Sequence, residues 1–439
     1  MNLPQNFLCR MEKMLPAEFP DLISCYEKPA FRGVRVNTLK CDENTLVKST
    51  GFRLRESPFA KDMYYLDTDI RVGKMPAFHA GIFYAQEPSA ASAVTLLRVQ
   101  PGDKVLDLCA APGGKSTQIA AALQGTGLLW SNEIVKNRAH VLLSNMERMG
   151  VKNAVISCEH PQSLCEHLQG FFDKVLVDVP CSGEGMFRKE QEALLYWHAD
   201  YPGQCAARGR EILCSAALAL RENGELVYST CTFSPEENEE TVKWFLREHP
   251  DFEIIECTVD FGRPGVDQIG VRIYPMDGGE GHFAAKLRRK SKNPCFVQPY
   301  ALLRETAEIT EAKGLYTELF TDRPTGSFAL LGNRFYLLPE NLPRISGLHV
   351  LRTGLLFGKM KGRRIEPEHS AFMAHSQDTC KNSLDFLPDD AELLAFLHGE
   401  EIKSTRSGYT AVCVNSVVTG FGKSSGGRLK NKYPKGLRI

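Results

Sequence analysis

The chain has 439 residues, 43% of them hydrophobic, with 53 basic and 53 acidic side chains and a formal net charge of zero. That length and apolar fraction predict about three domains with real cores, and the balanced charge excludes a generic polyanion-coating protein. No signal-like h-region or long charge-free run is present, so the expectation is a cytoplasmic protein without a membrane partner, and fourteen scattered cysteines with no C-x-x-C pair argue for reduced thiols and against a metal site.

Residues 1–80 carry mixed short elements, of which RGVRVNTLK is the most strand-like, and predict a small N-terminal α+β domain. Between residues 81 and 292, short apolar runs alternate with helical patterns, the signature of βαβ units. Strands are predicted at 104–108, 127–133, 153–158, 173–179 and 225–231, and helices at 115–123, 136–149, 204–221 and 236–248. Ser234-Pro235, followed by acids, is expected to open the last helix. The fold class is therefore α/β, with a mostly parallel, doubly wound sheet. Beyond residue 292, Pro- and Gly-punctuated stretches such as GSFALLGNRFYLLP and SGYTAVCVNSVVTGFGK predict a linking α+β domain at 293–380 and a β-rich module at 381–439.

Doubly wound sheets bind ligands at the carboxyl ends of their strands. The segment Cys109-Ala110-Ala111-Pro112-Gly113-Gly114-Lys115-Ser116-Thr117 sits there, after the apolar run VLDL. Its Gly and Ala residues remove bulk so that backbone can approach a ligand, and its Pro fixes one turn. It nearly matches the phosphate-cradling pattern G-x-x-x-x-G-K-[ST], but Cys109 replaces the first Gly. Asp178, after KVLV, stands where a Walker-B acid would, whereas Glu133, ending the second strand, stands where an acid accepts both hydroxyls of an adenosine ribose.

Two cysteines add chemistry of another kind. Cys181 follows the fourth strand in Asp178-Val179-Pro180-Cys181, and Cys231 ends the fifth in Ser229-Thr230-Cys231-Thr232. Adjacent parallel strands would deliver both thiols to one rim. Pyrimidine C5 is too weak a nucleophile to take a methyl group unaided, but a thiolate added at C6 makes it enamine-like. A second group must then help remove the C5 proton and release the thiolate. A carboxyl group such as Asp178 could hydrogen-bond N3 or the exocyclic amine as the adduct forms.

With these residues in place, the sequence resembles the RNA 5-methylcytosine methyltransferases of the Sun/Fmu type, most closely the bacterial RsmF-like ribosomal RNA enzymes. LDLCAAPGGKSTQIA, NEIVKNRAHVLLSNMERMG, VDVPCSGEGMFRK, YSTCTFSPEENEE and RIYPMDGGEGHFAAKLRR carry the resemblance, with FYAQEPSA ahead of them. The ending GFGKSSGGRLKNKYPKGLR is similar to the family's PUA-like RNA-binding module. The resemblance implies a Rossmann-like class I methyltransferase core and S-adenosylmethionine as cofactor. It implies Cys231 as nucleophile and Cys181 as the group assisting product release. Residues 109–115 would line the cofactor, with Glu133 on the ribose, Arg138 supporting that wall, and Asp178 near both cofactor and base, kept ionised by Lys115. The adenine-contacting position falls on His160, beside Glu159, where many relatives carry an acid. Val179 stands where D-A-P-C is commoner.

The implied partner is RNA, most closely small-subunit ribosomal RNA, and the expected state is a monomer. A cytosine in a duplex hides C6, so the target base should be unpaired or flipped. Three basic stretches are candidates for flanking phosphates: KLRRKSK at 286–292, KMKGRR at 359–364, and the acid-free tail from Ile402 to Ile439. The N-terminal domain, with Phe187, Arg188 and Lys189, is expected to grip RNA near the site. The alternatives are a P-loop ATPase acting on RNA, a noncatalytic ribosome-assembly protein, and a DNA cytosine methylase, which would use the Pro-Cys thiol and leave Cys231 unexplained.

Overall fold

The computed structural model describes residues 2–66, 70–301 and 305–439. Strands β1 (Gly33–Val36), β2 (Leu54–Glu56), β3 (Met63–Leu66) and β4 (Phe83–Gln86) form an antiparallel sheet in the order β2-β3-β1-β4. RGVRVNTLK thus supplies a strand as expected, and the sheet is completed by a strand that lies past residue 80.

The central sheet is built from β5 (Lys104–Asp107), β6 (Leu128–Asn132), β7 (Ala154–Ser157), β8 (Phe172–Asp178), β9 (Leu220–Thr230), β10 (Phe252–Ile255), β11 (Arg263–Pro264), β12 (Val271–Ile273) and β13 (His282–Arg289). Strands β5 to β9 run parallel, and β13 returns antiparallel against β9. The order is β11-β12-β13-β9-β8-β5-β6-β7, with β10 on β13, and chain order reverses between β5 and β8. Each strand is apolar on both faces because helices cover both. Leu106, Trp130, Val155, Val175 and Tyr228 enter one core, while their neighbours Val105, Leu129, Ile156, Leu176 and Val227 enter the other.

The remaining strands are β14 (Ser327–Leu331), β15 (Arg334–Leu338), β16 (Val350–Thr353), β17 (Leu355–Lys361), β18 (Arg364–Pro367), β19 (Ser383–Phe386), β20 (Ile402–Lys403), β21 (Gly408–Val414), β22 (Val417–Ser425) and β23 (Arg428–Asn431). The sheet β14-β15-β17-β18 lies in the linking segment, and the five-stranded sheet β19-β21-β22-β23-β20 is the C-terminal β-rich module. Two connections were not legible in the sequence. β16 leaves its own module to extend the central sheet against β7, and the first and last modules share one core, where Val34 and Phe83 join Phe396, Val412 and Tyr433.

The last core helix begins at Glu239, three residues later than expected. Ser234 and Pro235 instead make a turn, their carbonyls accepting from the Asn238 and Glu240 amides. Glu239 is fully buried and meets Arg272 on β12 through two hydrogen bonds of 2.6 and 2.5 Å, and the same guanidinium donates to the Phe233 carbonyl at 2.8 Å. Removing one partner of such a pair strands a buried charge. Glu239→Ala should therefore cost about 3–5 kcal/mol, read as a lowered midpoint of chemical denaturation. Wild-type stability in that variant would show the pair to be dispensable.

Candidate active site

β8 and β9 are neighbours in register, with Asp178 opposite Ser229, so the segments that leave them emerge together. The Sγ atoms of Cys181 and Cys231 lie 3.3 Å apart, and the Cys231 amide donates to Cys181 Sγ at 3.3 Å. The two thiols do share one rim. The hydrogen bond from its neighbour, then burial, hold the Cys181 thiol well above its ordinary pKa.

Several residues fix this pair that spacing alone did not single out. Glu237 accepts from the Ser182 amide at 2.8 Å and from its hydroxyl, while Ser182 also meets Thr232 at 2.8 Å. Burial pushes the Glu237 carboxyl up to about 7. The Gly185 amide donates to the Cys231 carbonyl at 2.9 Å, and a Cβ at Gly185 would lie 2.6 Å from the Gly281 carbonyl oxygen, so only Gly fits that crossing. The signal was present in the polar residues of CSGEG and SPEEN, but which of them face the thiols depends on the turn at 235–238.

Beside the thiols, Asp178 is held from two sides. Lys115 Nζ donates to Oδ2 at 2.8 Å, and Ser229 Oγ donates to Oδ1 at 2.7 Å. Burial alone would lower the Lys115 ammonium, but the charge and hydrogen bond of Asp178 outweigh it and hold the ammonium above its ordinary value. Sequence reasoning paired Lys115 with Asp178 but missed Ser229.

The loop after β5 turns sharply. The Ala111–Pro112 peptide is cis, and Gly113 has φ 114°, open to glycine at little cost. Cys109, Ala110 and Ala111 lie at the end of β5, and burial raises the Cys109 thiol pKa well above its usual value. Gly114 and Lys115 open the helix Gly114–Leu123. Under the loop, Ser116 Oγ donates to Asp107 Oδ2 at 2.6 Å, and burial pushes Asp107 up to about 7. Asn145, another residue not anticipated, donates to the Pro112 carbonyl at 2.9 Å.

Glu133 follows β6 and is buried, with Oε1 accepting from the Val135 amide at 2.9 Å. Arg138 lies 3.4 Å from Oε2 and also donates to the Ala111 carbonyl at 3.0 Å, tying the acid to the loop. His160 is exposed after β7, where its ring accepts from the Gln162 amide and caps the helix Pro161–His167. Glu159 is turned toward His349, accepting from its amide and facing its ring at 3.1 Å. That contact comes from the third module.

Three RNA-contact expectations need correction. Phe187 is fully buried, in a cluster with Phe7, Trp197 and Phe233. Arg188 is buried against Glu280 and the Cys25 carbonyl, so of that trio only Lys189 is exposed. The first four residues of KLRRKSK end β13, where Lys286, Arg288 and Arg289 pair with Glu225, Glu253 and Asp251 because strand pairing brings those acids alongside, while Lys290 and Lys292 beyond the strand are exposed. In KMKGRR, Lys359 and Lys361 pair with Glu368 and Glu366, leaving Arg363 and Arg364 exposed at the turn. The tail keeps Lys403, Arg406, Lys430, Lys435 and Arg438 exposed or nearly so.

Family models match four consecutive parts of the chain: the N-terminal domain of 16S rRNA methyltransferase RsmF at residues 3–88, 16S rRNA methyltransferase RsmB/F at 94–288, the RsmF rRNA methyltransferase first C-terminal domain at 315–374, and the methyltransferase RsmF PUA domain at 383–439. Ribosomal RNA small subunit methyltransferase F of Shewanella piezotolerans (strain WP3 / JCM 13877) is 31% identical, the match covering 99% of this chain and 97% of that protein. Among solved structures, a methyltransferase homolog protein from Pyrococcus horikoshii is 29% identical with a TM-score of 0.55, covering 62% of this chain and 91% of that one. NSun6 from Pyrococcus horikoshii with SFG, 23% identical with a TM-score of 0.59 over 66% of this chain and 99% of that one, shares the fold. With the paired strand-end thiols, the α/β core and matches along nearly its whole length, the chain belongs to the RsmF family of 16S ribosomal RNA methyltransferases.

Proposed function

We propose that this chain transfers a methyl group from S-adenosylmethionine to C5 of cytosine in small-subunit ribosomal RNA. The observation that carries the reading is the 3.3 Å separation of the Cys181 and Cys231 sulfur atoms beside the Lys115–Asp178 pair. The donor set suits the cofactor. Glu133 offers a buried carboxylate to two ribose hydroxyls, and residues 109–114 offer backbone without bulk, with Arg138 bracing that wall and His160 at its adenine side. Bound S-adenosylmethionine supplies the electrophilic methyl group that C5 takes. The near match of the loop to a phosphate cradle is then coincidental.

In this reading, Cys231 gives its proton to water and, as the thiolate, bonds to C6, which raises electron density at C5. Asp178, oriented by Lys115 and Ser229, accepts a hydrogen bond from the exocyclic amine as that bond forms. After methylation the C5 proton passes to water as the C6–sulfur bond breaks: the C5–H electron pair restores the aromatic ring and the C6–sulfur pair returns to Cys231. Cys181, kept as a neutral thiol and 3.3 Å from Cys231, is placed to return a proton to the departing sulfur.

We assign the segments 1–80 and 381–439 to RNA binding, 81–292 to catalysis and 293–380 to linkage, and place the enzyme in the cytoplasm as a monomer. No helix among the described residues is long and apolar enough to cross a membrane. The test is to incubate the purified chain and unmodified small-subunit ribosomal RNA with S-adenosylmethionine carrying a tritiated methyl group. Label recovered as 5-methylcytosine is expected. RNA-stimulated hydrolysis of ATP without methyl transfer would overturn the reading.

A further inference from the structure

The N-terminal sheet and the core face each other across a cleft of about 920 Å³, at the upper end of the roughly 300–1,000 Å³ usual for ligand pockets. Phe31, Arg55, Tyr65 and Gln86 line it from the N-terminal sheet and the segment before it, and Arg188 and Lys189 from the core. A Cβ at Gly114 would lie 3.2 Å from Gln86 Oε1, so the cleft adjoins the loop after β5. Among the described residues, however, neither Glu133 nor any of 109–115 lines it. It is a compartment next to the cofactor wall, not part of it.

Its walls carry stacking surfaces in a fixed arrangement. Exposed Arg55 lays its guanidinium over the Tyr65 ring, 4.0 Å from the centroid. Tyr65 is itself immobilised, its hydroxyl donating to the Gly278 carbonyl at 2.7 Å and its ring meeting Phe31 at 5.7 Å. Arg188 sits 5.1 Å from the Phe31 ring, clamped by two hydrogen bonds to Glu280 of 2.8 and 2.7 Å. The clamp also holds the two halves together, since Glu280 accepts from the Phe31 amide at 2.6 Å. Lys189 follows Arg188 on the segment that begins at Cys181, and it places an exposed residue with an ammonium on this wall. An Arg plane backed by a tyrosine, with a cation across the gap, suits a nucleotide: every base has a face to stack, and every phosphate a charge.

We propose that this cleft takes a nucleotide flanking the target cytosine, its base stacked on the outer face of the Arg55 guanidinium and its phosphate held by Lys189. The inference rests on the RNA-methylating reading above, and it makes Arg55 a positioning residue that a sequence scan for basic clusters passes over, because Arg53 is its only basic neighbour and Glu56 follows it.

The test is filter binding of small-subunit ribosomal RNA to the full-length chain, with steady-state methylation alongside. Arg55→Ala should weaken RNA binding about 10-fold, within the range of one lost stacking contact, and the loss in methylation should fall on KM for RNA. Affinity for S-adenosylmethionine should not change. Arg55→Lys keeps the charge but not the plane, so it should recover little, while Lys189→Ala should reduce the salt slope of binding by about one. Unchanged RNA affinity in Arg55→Ala, or full recovery in Arg55→Lys, would overturn the stacking site. A chain whose RNA binding depends on Arg55 but which transfers no methyl group would sink the catalytic reading and leave this one standing.

Discussion

Cys231→Ala is expected to transfer no methyl group and to form no covalent complex with RNA, whereas Cys181→Ala is expected to accumulate an RNA–protein adduct that survives a denaturing gel. The asymmetry follows from how the two sulfur atoms are held. They are close enough to exchange a proton, and Cys181 is held as a thiol by the hydrogen bond from its neighbour and by burial. A thiol that holds its proton is a poor nucleophile, because attack requires the thiolate. It is a good partner for a leaving sulfur that needs a proton back.

Losing the nucleophile removes the only route by which C5 becomes reactive, so the drop should reach the background of the assay. Losing the assisting thiol leaves addition and methylation intact but slows elimination, so enzyme accumulates on product RNA. Substrate RNA labelled at one end and incubated with each variant and S-adenosylmethionine will show the difference as a shifted band. A stable adduct with Cys231→Ala that disappears with Cys181→Ala would exchange the two roles.

How much of this could be read in the sequence depends on the distance over which each feature is determined. Val105, Leu106, Trp130 and Val175 lie in short apolar runs whose strand character is local, so β5 to β9 fell within a few residues of expectation, except that β9 extends back to Leu220. The thiols were legible for the same reason, since a cysteine follows closely after each of two apolar strand runs. What failed was non-local. Arg288 and Arg289 read as a basic patch because nothing in KLRRKSK reveals that Glu253 and Asp251 lie alongside. Phe187 reads as a surface aromatic next to basic residues until the N-terminal helix brings Phe7 onto it, with ring centroids 5.3 Å apart. The link from Asn145 to Pro112 was hidden because it joins a helix to a loop 33 residues away.

Asp178→Asn should lower kcat by about 10²–10³-fold, the cost of removing one preorganised electrostatic contact from a reacting centre. The geometry makes this more than a change of charge. Lys115 and Ser229 each hold one carboxylate oxygen, at 2.8 and 2.7 Å, so the carboxylate cannot rotate away and its orientation is set before substrate arrives. An amide in its place presents one acceptor where there were two, and its NH₂ must face either the Lys115 ammonium or the Ser229 hydroxyl. The ammonium then loses the partner that holds its pKa above the ordinary value. If Asp178 acts on the base as the adduct forms, the double variant Asp178→Asn/Cys181→Ala will accumulate adduct as much more slowly than Cys181→Ala as kcat falls in the single variant. If the double variant instead forms adduct at the full rate while methyl transfer is lost, Asp178 serves the cofactor side alone. Single-turnover time courses, with S-adenosylmethionine varied to saturation, separate these outcomes, because only the second is relieved by more cofactor.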